Sequence, residues 1–375
     1  MRIAIIGPAH PFRGGGMTTF NERLAWELQD QGHNVVIYSF SLQYPSFLFP
    51  GKTQYTDEPA PKGLKILSVI NSVNPVNWLK IGNHVKAEKY DLVIVRYWLP
   101  FMGPAFGTIL RIVRKNKLTK VLCIADNIIP HEKRPGDLPF TKYFIKAVDA
   151  FVTMSKDVKK DLQTLTNKPV QFLYHPVYDN YGASVTKGEA CKKLGLDTNK
   201  NYILFFGFIR KYKGLDLLLD AMSDERIRAA NIHLIIAGEF YDKRENYDAQ
   251  IEQHKLHNKI SLFTEFIPND DIRYYFSAAD LVVQPYKSAT QSGITQVAYH
   301  FEKPMVVTNV GGLAEGVPDG KVGFVTKPEA GAIADAILKF YTPGSLGNVA
   351  ANIKEEKKKY SWESFVKNLL AMQTL

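Results

Sequence analysis

Eleven short runs of apolar, mostly β-branched residues recur along this chain, and most are separated by segments whose apolar residues fall at helical spacing. The runs are Ile3–Ile6, Val35–Tyr38, Leu92–Val95, Val121–Ile124, Phe151–Met154 and Val170–Leu173. After a polar stretch they resume at Ile203–Phe206, Leu234–Ala237, Ile260–Phe263, Leu281–Val283 and Met305–Thr308. Between them, Met17, Phe20, Leu24 and Leu28 mark a helical face that Gly32 terminates, and Leu215, Leu218, Leu219 and Met222 mark another. Strands that are apolar on both faces and alternate with helices belong to a parallel sheet covered on both sides. The expected class is α/β, doubly wound.

At 375 residues the chain exceeds what one core organises, about 250–300 residues. The alternation pauses between Tyr174 and Asn201, where His175-Pro176, Gly182, Gly188 and the polar run Thr198–Asn201 interrupt it. We therefore expect a Rossmann-like N-terminal domain over 1–175 and a second over 176–346. A helical segment over 347–375, broken near Tyr360-Ser361-Trp362, is expected to pack back on the first. Doubly wound domains bind ligands outside the carboxyl ends of their strands, so two that face each other define a cleft. Residues Phe40–Lys62 hold four prolines and several aromatics without periodicity, the mark of a long irregular insertion.

Composition narrows the partners. Two cysteines, Cys123 and Cys191, suffice for neither a disulfide framework nor a four-cysteine zinc site. The N-terminal residues enter a strand-like run directly, without a leader pattern, and no apolar stretch reaches the ~18 residues of a membrane span. A cytoplasmic protein is expected, with peripheral contact at the inner face of the plasma membrane as an added expectation. The formal charge of +10 selects anionic partners, among them phosphorylated small molecules and anionic lipid. Nucleic acid is disfavoured, because zinc-finger spacing, RNP-like motifs and long arginine-rich tracts are all missing.

Three loops at strand ends carry the candidate chemistry. The first, Gly7-Pro8 to Gly14-Gly15-Gly16, precedes the first long helix, whose free N–H groups suit an anion or a sugar hydroxyl. Its spacing departs from the G-x-G-x-x-G dinucleotide pattern, and a merely tight turn accounts for it equally well. The second is Phe206-Gly207-Phe208-Ile209-Arg210-Lys211-Tyr212-Lys213-Gly214. Arg210 can grip phosphate oxygens bidentately and Lys213 adds a point charge; the plain alternative is a solvated basic loop. The third runs from Gln284 to Gln296, where Ser292, Gly293 and Ile294 open a helix and offer N–H groups to the same anion. Here the plain alternative is a capped, buried helix. Glu315, after Gly311-Gly312, sits at a further loop-to-helix junction, as a hydrogen-bond acceptor for sugar or nucleotide or simply as a helix-favouring acid. In the first domain, Asp126-Asn127 and His131-Glu132-Lys133-Arg134 follow strand Val121–Ile124 as an acceptor or catalytic cluster, although a lone loop His is commonly just surface. The chain contains no Asp-x-Asp pair, so no metal is expected to clamp the diphosphate and the weight falls on Arg210 and Lys213.

With these loops in view, the sequence resembles the family 4 retaining glycosyltransferases of the GT-B fold over nearly its whole length. The resemblance runs from the Gly-rich loop through Gly207–Gly214 and Leu215–Met222 to Pro304–Glu315, Asp319–Val325 and Tyr360-Ser361-Trp362-Glu363. Tyr44-Pro45 and Phe49–Thr53 are similar to a branch found in bacterial surface-polysaccharide synthesis. It implies two Rossmann-like domains, the first for the acceptor and the second for a nucleoside diphosphate sugar. It also implies a hexosyl-type transfer to a saccharide or lipid-linked saccharide in polysaccharide synthesis. The family's diphosphate-holding arginine and lysine map to Arg210 and Lys213, in a variant of the loop. Its two glutamates, eight residues apart, map to Ala289 and Val297, with Gln291, Ser292 and Gln296 as available substitutes. Its first-domain histidine maps to Ala125, beside Asp126, Asn127 and His131. With that carboxylate pair missing, same-face attack is expected over double displacement, and no cofactor is expected beyond the sugar nucleotide as substrate. A sugar-nucleotide epimerase and a catalytically silent sugar-nucleotide-binding subunit are the alternatives.

Overall fold

The computed structural model describes residues 1–13, 16–45, 54–130, 134–289 and 292–374. The chain forms two compact units, Met1–Pro176 with Ser361–Leu375, and Val177–Tyr360. The first contains β1 (Arg2–Ile6), α1 (Met17–Asp30), β2 (Asn34–Leu42), β3 (Lys65–Asn71), α2 (Pro75–Glu88), β4 (Leu92–Tyr97) and α3 (Gly103–Val113). It continues with β5 (Lys120–Ala125), α4 (Asp137–Ile145), β6 (Ala150–Thr153), α5 (Lys156–Gln163) and β7 (Val170–Phe172). The second contains α6 (Lys187–Leu194), β8 (Asn201–Phe206), α7 (Leu215–Met222), α8 (Glu225–Ala229), β9 (Ile232–Ala237), α9 (Arg244–Gln253) and β10 (Ile260–Phe263). There follow α10 (Ile272–Ala278), β11 (Leu281–Gln284), α11 (Gly293–His300), β12 (Met305–Thr308), β13 (Gly323–Thr326), α12 (Ala330–Tyr341) and α13 (Val349–Lys357). Then α14 (Trp362–Ala371) rejoins the first unit, so only part of the segment 347–375 lies there.

Local signals explain many boundaries. Asn74 caps α2 through Val76 and Asn77 N–H groups, with Pro75 at the first helical position. A reciprocal Thr186–Glu189 capping box starts α6, and Gly195 in the left-handed region ends it.

Both sheets are doubly wound. Their orders are β3-β2-β1-β4-β5-β6-β7 and β10-β9-β8-β11-β12-β13, and the pairings between these strands are parallel. The order reverses between β1 and β4 in one unit and between β8 and β11 in the other. At such a reversal the adjoining loops diverge to opposite faces and leave a crevice at the strands' carboxyl edge. In the first unit, alternate residues of three strands (Ala4, Ile6, Val93, Val95, Val121, Cys123) join one core with Ile81 of α2, Phe106 of α3 and Phe144 of α4.

The eleven apolar runs all appear as strands, but β3 and β13 were not expected. Both are edge strands. In β3 (Lys-Ile-Leu-Ser-Val-Ile-Asn) only Ile70 is buried, so the composition never had to become uniformly apolar. β2 also runs on to Leu42, into the stretch expected to be irregular, while 46–53 lie outside the described residues.

The two chain crossings share an anchor in the first unit. Phe20 of α1 is fully buried, with ring centroids 5.2 Å from His175, 5.0 Å from Trp362 and 5.6 Å from Phe365. It therefore holds the chain just before the first crossing and just after the second. Phe20→Ala is expected to cost about 3–5 kcal/mol in chemical denaturation, as for other buried aromatic truncations.

Candidate functional site

In the second unit, β8 ends at Phe206 and the backbone turns at Gly207, with φ +98°. A Cβ on Gly238 would lie 2.4 Å from the Gly207 carbonyl oxygen, so the turns after β8 and β9 pass in direct backbone contact. This close approach leaves the end of β8 open to two side chains. A Cβ placed on Gly207 would lie 2.9 Å from Lys213 Nζ and 3.4 Å from Ile294 Cδ1. Lys213 and the first turn of α11 therefore converge on one glycine at the reversal between β8 and β11.

Lys213 is 9% exposed, and its ammonium lies 5.7 Å from the Tyr286 ring centroid. Burial, with a smaller contribution from the Arg210 charge, pushes its pKa down to about 8. No carboxylate among the described residues pairs with it. Arg210 is half-buried, its guanidinium 5.1 Å from the Tyr241 ring, which stacks on Phe208 at 4.5 Å. Two cations thus stand at the strand end held by aromatic faces, and an anion placed there would meet them both. By contrast, the neighbouring Lys287 is already paired with Asp216.

Ser292 caps α11, its hydroxyl accepting the Ile294 N–H at 3.2 Å and lying 3.3 Å from Tyr286 Oη. The Ile294 N–H expected to face an anion is therefore taken by the cap, whereas the Gly293 N–H, at the first helical position, lies outside the helix's own ladder. Gln296 is 5% exposed, and its Oε1 has no partner among the described residues. Glu315 is exposed in a short 3-10 turn, Ala314–Gly316, rather than at the start of an α-helix. That turn rests on α11, where Tyr299 Oη donates to the Gly316 carbonyl at 2.7 Å. Gln291 lies outside the described residues.

In the first unit, the reversal between β1 and β4 holds a different arrangement. Asp126 follows β5, and its carboxylate accepts two bonds from Arg96 on β4, at 2.5 Å from Nε and 2.6 Å from Nη2. Arg96 is 3% exposed, lies 4.0 Å over the Phe20 ring, and its Nη1 finds no partner among the described residues. A Cβ on Gly7 would come within 3.2 Å of Arg96 Cβ, which places the pair beside the turn after β1. Gly16 adopts φ +51° at the start of α1, and among the described residues nothing lies within 4 Å of where a Cβ would stand. Gly15 and His131 lie outside the described residues.

Arg96 and Glu22 were missed in the sequence. The only signal for Arg96 was one charge ending an otherwise apolar strand run, Leu92–Tyr97. Glu22 lies on α1 and accepts the His10 N–H at 2.7 Å. Burial raises its pKa to about 7, against the lowering effect of that hydrogen bond, with Glu58 adding a smaller upward push.

Comparison with known proteins places this geometry. Residues 14–180 match the family model for Glycosyltransferase Family 4, and residues 186–360 match that for Glycosyl transferases group 1. A glycosyltransferase of Methanocaldococcus jannaschii, described as uncharacterized, is 26% identical over 376 residues, covering 98% of this chain and 96% of its own. A lipopolysaccharide 1,2-N-acetylglucosaminetransferase of Salmonella typhimurium is 26% identical over 187 residues, 46% of this chain and 48% of that one. The structure of Anabaena HepE in complex with UDP superimposes with a TM-score of 0.73 at 15% identity, covering 99% of this chain and 100% of that chain. Its likeness bears on the fold alone. The chain is a glycosyltransferase with the GT-B fold of two Rossmann-like units. Its two halves match consecutive models of one kind of enzyme, and it belongs to the family 4, group 1 glycosyltransferases.

Two stability measurements test the electrostatics. Arg96→Met leaves Asp126 without its partner and is expected to cost about 3–5 kcal/mol, whereas Arg96→Met with Asp126→Leu recovers most of it. Lys213 behaves oppositely. With its pKa near 8 when folded against 10.5 ordinarily, its charge is penalised in full below pH 8, and that penalty fades as pH rises toward 10.5. Lys213→Met is expected to raise the denaturation midpoint at pH 7, with the advantage shrinking between those two values.

Proposed function

We propose that this glycosyltransferase moves a hexosyl group from a nucleoside diphosphate sugar to a saccharide or lipid-linked saccharide acceptor, with retention of anomeric configuration. The observation that carries the donor assignment is the buried Lys213 ammonium at the β8–β11 reversal, beside Arg210 and the start of α11, with no protein anion opposite it among the described residues. A buried charge kept without a partner is a standing cost to the fold, and a diphosphate supplies the missing anion. HepE bound to UDP and HepE bound to UDP-glucose support a nucleotide donor for the shared fold. The Salmonella lipopolysaccharide enzyme supports an acceptor of the surface-polysaccharide kind.

In this reading the bond from the anomeric carbon to the diphosphate oxygen breaks, and the diphosphate leaves with the electron pair. The acceptor oxygen bonds to the same face of that carbon, and its proton passes to the departing phosphate. Arg210, Lys213 and the Gly293 N–H stabilise the negative charge as it builds, each at the scale of about 2.7–4 kcal/mol typical of one preorganised donor. No metal takes part in this scheme; its motive is that the chain contains no Asp-x-Asp pair. Gln296, through its unpartnered Oε1, and Glu315 are assigned to donor recognition, and Asp126, oriented by Arg96, to the acceptor.

Calorimetric titration with UDP, GDP and their sugar conjugates tests the donor site. One nucleotide family is expected to bind, and Arg210→Ala/Lys213→Ala to abolish that binding while leaving the fold intact. Equal binding by the variant would remove the donor assignment, and a product of inverted configuration by NMR would remove the same-face mechanism. A silent sugar-nucleotide-binding subunit is the second reading, favoured by Ala289 and Val297 standing where the family's glutamates belong. Nucleotide binding without transfer to any saccharide acceptor would select it.

A further inference from the structure

The charge of this protein is confined to one of its units. The first, Met1–Pro176 with Ser361–Leu375, carries 24 Lys and Arg against 14 Asp and Glu, which is the whole of the +10. The second carries 23 of each. Exposed apolar surface follows the same division. Eleven of the thirteen large apolar side chains exposed among the described residues belong to the first unit, and only Tyr212 and Leu262 to the second.

Both properties meet on α4. Its Thr141, Phe144 and Ile145 are buried and tie it to the core. Its exposed arc runs from Leu138, 49% exposed, at one edge to Phe140, 43% exposed, at the other, with Lys142 and Tyr143 between them and Lys146 just past the helix end. An ordinary surface helix would carry polar residues there. Asp137, the one acid of α4, is half-buried and engaged by the Arg134 N–H at 2.7 Å, so no carboxylate neutralises the outer lysines from within the helix. The adjoining end of α3 adds more positive charge. Arg111 lies 3.6 Å over the Tyr143 ring, Arg114 donates to the Lys146 carbonyl, and Lys115 is exposed. Among the described residues, Arg114 is the one of these that meets an acid, Asp149 at 2.8 Å.

We infer that the outer face of α4, with the end of α3, is a docking surface for an anionic lipid bilayer. Leu138 and Phe140, flanking the lysines on the two edges of the exposed arc, reach the boundary between headgroups and acyl chains, while Lys142, Lys146 and Lys115 meet lipid phosphates. Charge decides among the possible occupants. A second copy of this chain meeting it face to face would set these lysines against themselves, which is repulsive in a two-fold contact. Among the described residues, no helix is long and apolar enough to cross a membrane, so contact of this kind is peripheral. The inference extends the reading of a lipid-linked acceptor, because α4 follows directly on the loop from Asp126. This surface is separate from the irregular insertion of residues 40–62. Tyr44 is half-buried there, stacked on Phe101 and hydrogen-bonded to Trp98, and Phe47, Phe49 and Lys52 lie outside the described residues.

Flotation of the full chain with phosphatidylcholine vesicles, with and without phosphatidylglycerol and with no acceptor added, tests the surface by itself. Binding is expected only to the anionic vesicles, weakening as salt rises. Lys142→Glu/Lys146→Glu is expected to lower the partition coefficient about fivefold or more for each lysine. Leu138→Ser/Phe140→Ser is expected to lower it at least tenfold, and Leu262→Ser in the second unit to leave it unchanged. Nucleotide titration of each variant shows that the fold is intact and reports separately on the donor reading. Failure of wild type to float with anionic vesicles at low salt overturns the inference, as does equal flotation of Leu138→Ser/Phe140→Ser. A wild-type dimer that this double variant dissociates, without change in flotation, overturns it in favour of self-association.

Discussion

Because the strands of each sheet run parallel to their neighbours, every connection must return along the outside of the sheet, and the helices that follow begin at the strands' carboxyl edge. Free helix N–H groups, turn glycines and long side chains are thereby collected along one edge in each unit. The reversal of strand order then selects one place on that edge where the loops part. Gly7 and Gly207 stand at those two places, each just after the first strand of its unit. The candidate residues gather there because of topology, although they are far apart in the chain.

The two reversals treat charge in opposite ways. Beside Gly7, the Arg96 guanidinium and the Asp126 carboxylate satisfy one another through two hydrogen bonds, and the aromatic face of Phe20 covers the guanidinium. That arrangement is stiff, with the charge of Arg96 met by a carboxylate. Beside Gly207, Lys213 and Arg210 have aromatic faces and no carboxylate among the described residues, and burial together with the Arg210 charge lowers the preference of Lys213 for its charged form. That arrangement is electrically open. Breaking a closed pair and filling an open one both involve buried charge, but the fold supplies the counter-ion in the first case and, among the described residues, supplies none in the second.

How much of this was legible in the sequence follows from what each residue does for the fold. Central strands must be apolar on both faces, so their runs stand out; β3 and β13 have a neighbour on one side only, and their composition is unremarkable. Arg210 and Lys213 could be read because a glycine-bounded loop at a strand end leaves charge little structural purpose. Arg96 lay hidden inside a strand pattern, since nothing in Leu-Val-Ile-Val-Arg-Tyr says that its partner sits at the end of the next strand in the sheet. Glu22 was hidden for a related reason: an acid on a helix is ordinarily solvated, and only the fold shows this one to be buried under the turn after β1. Ser292 shows where two readings of one residue overlap. A serine before a helix admits both a cap and N–H groups turned to an anion, and its hydroxyl takes one of the N–H groups on offer.

The return of α14 to the first unit bears on the order in which the protein is made. Phe20 is translated before the whole of the second unit, whereas Trp362 and Phe365, which pack on it, are translated after it. The second unit can close its core before α14 has emerged from the ribosome. The first unit emerges earlier and finishes later, with one flank of α1 bare until α14 arrives.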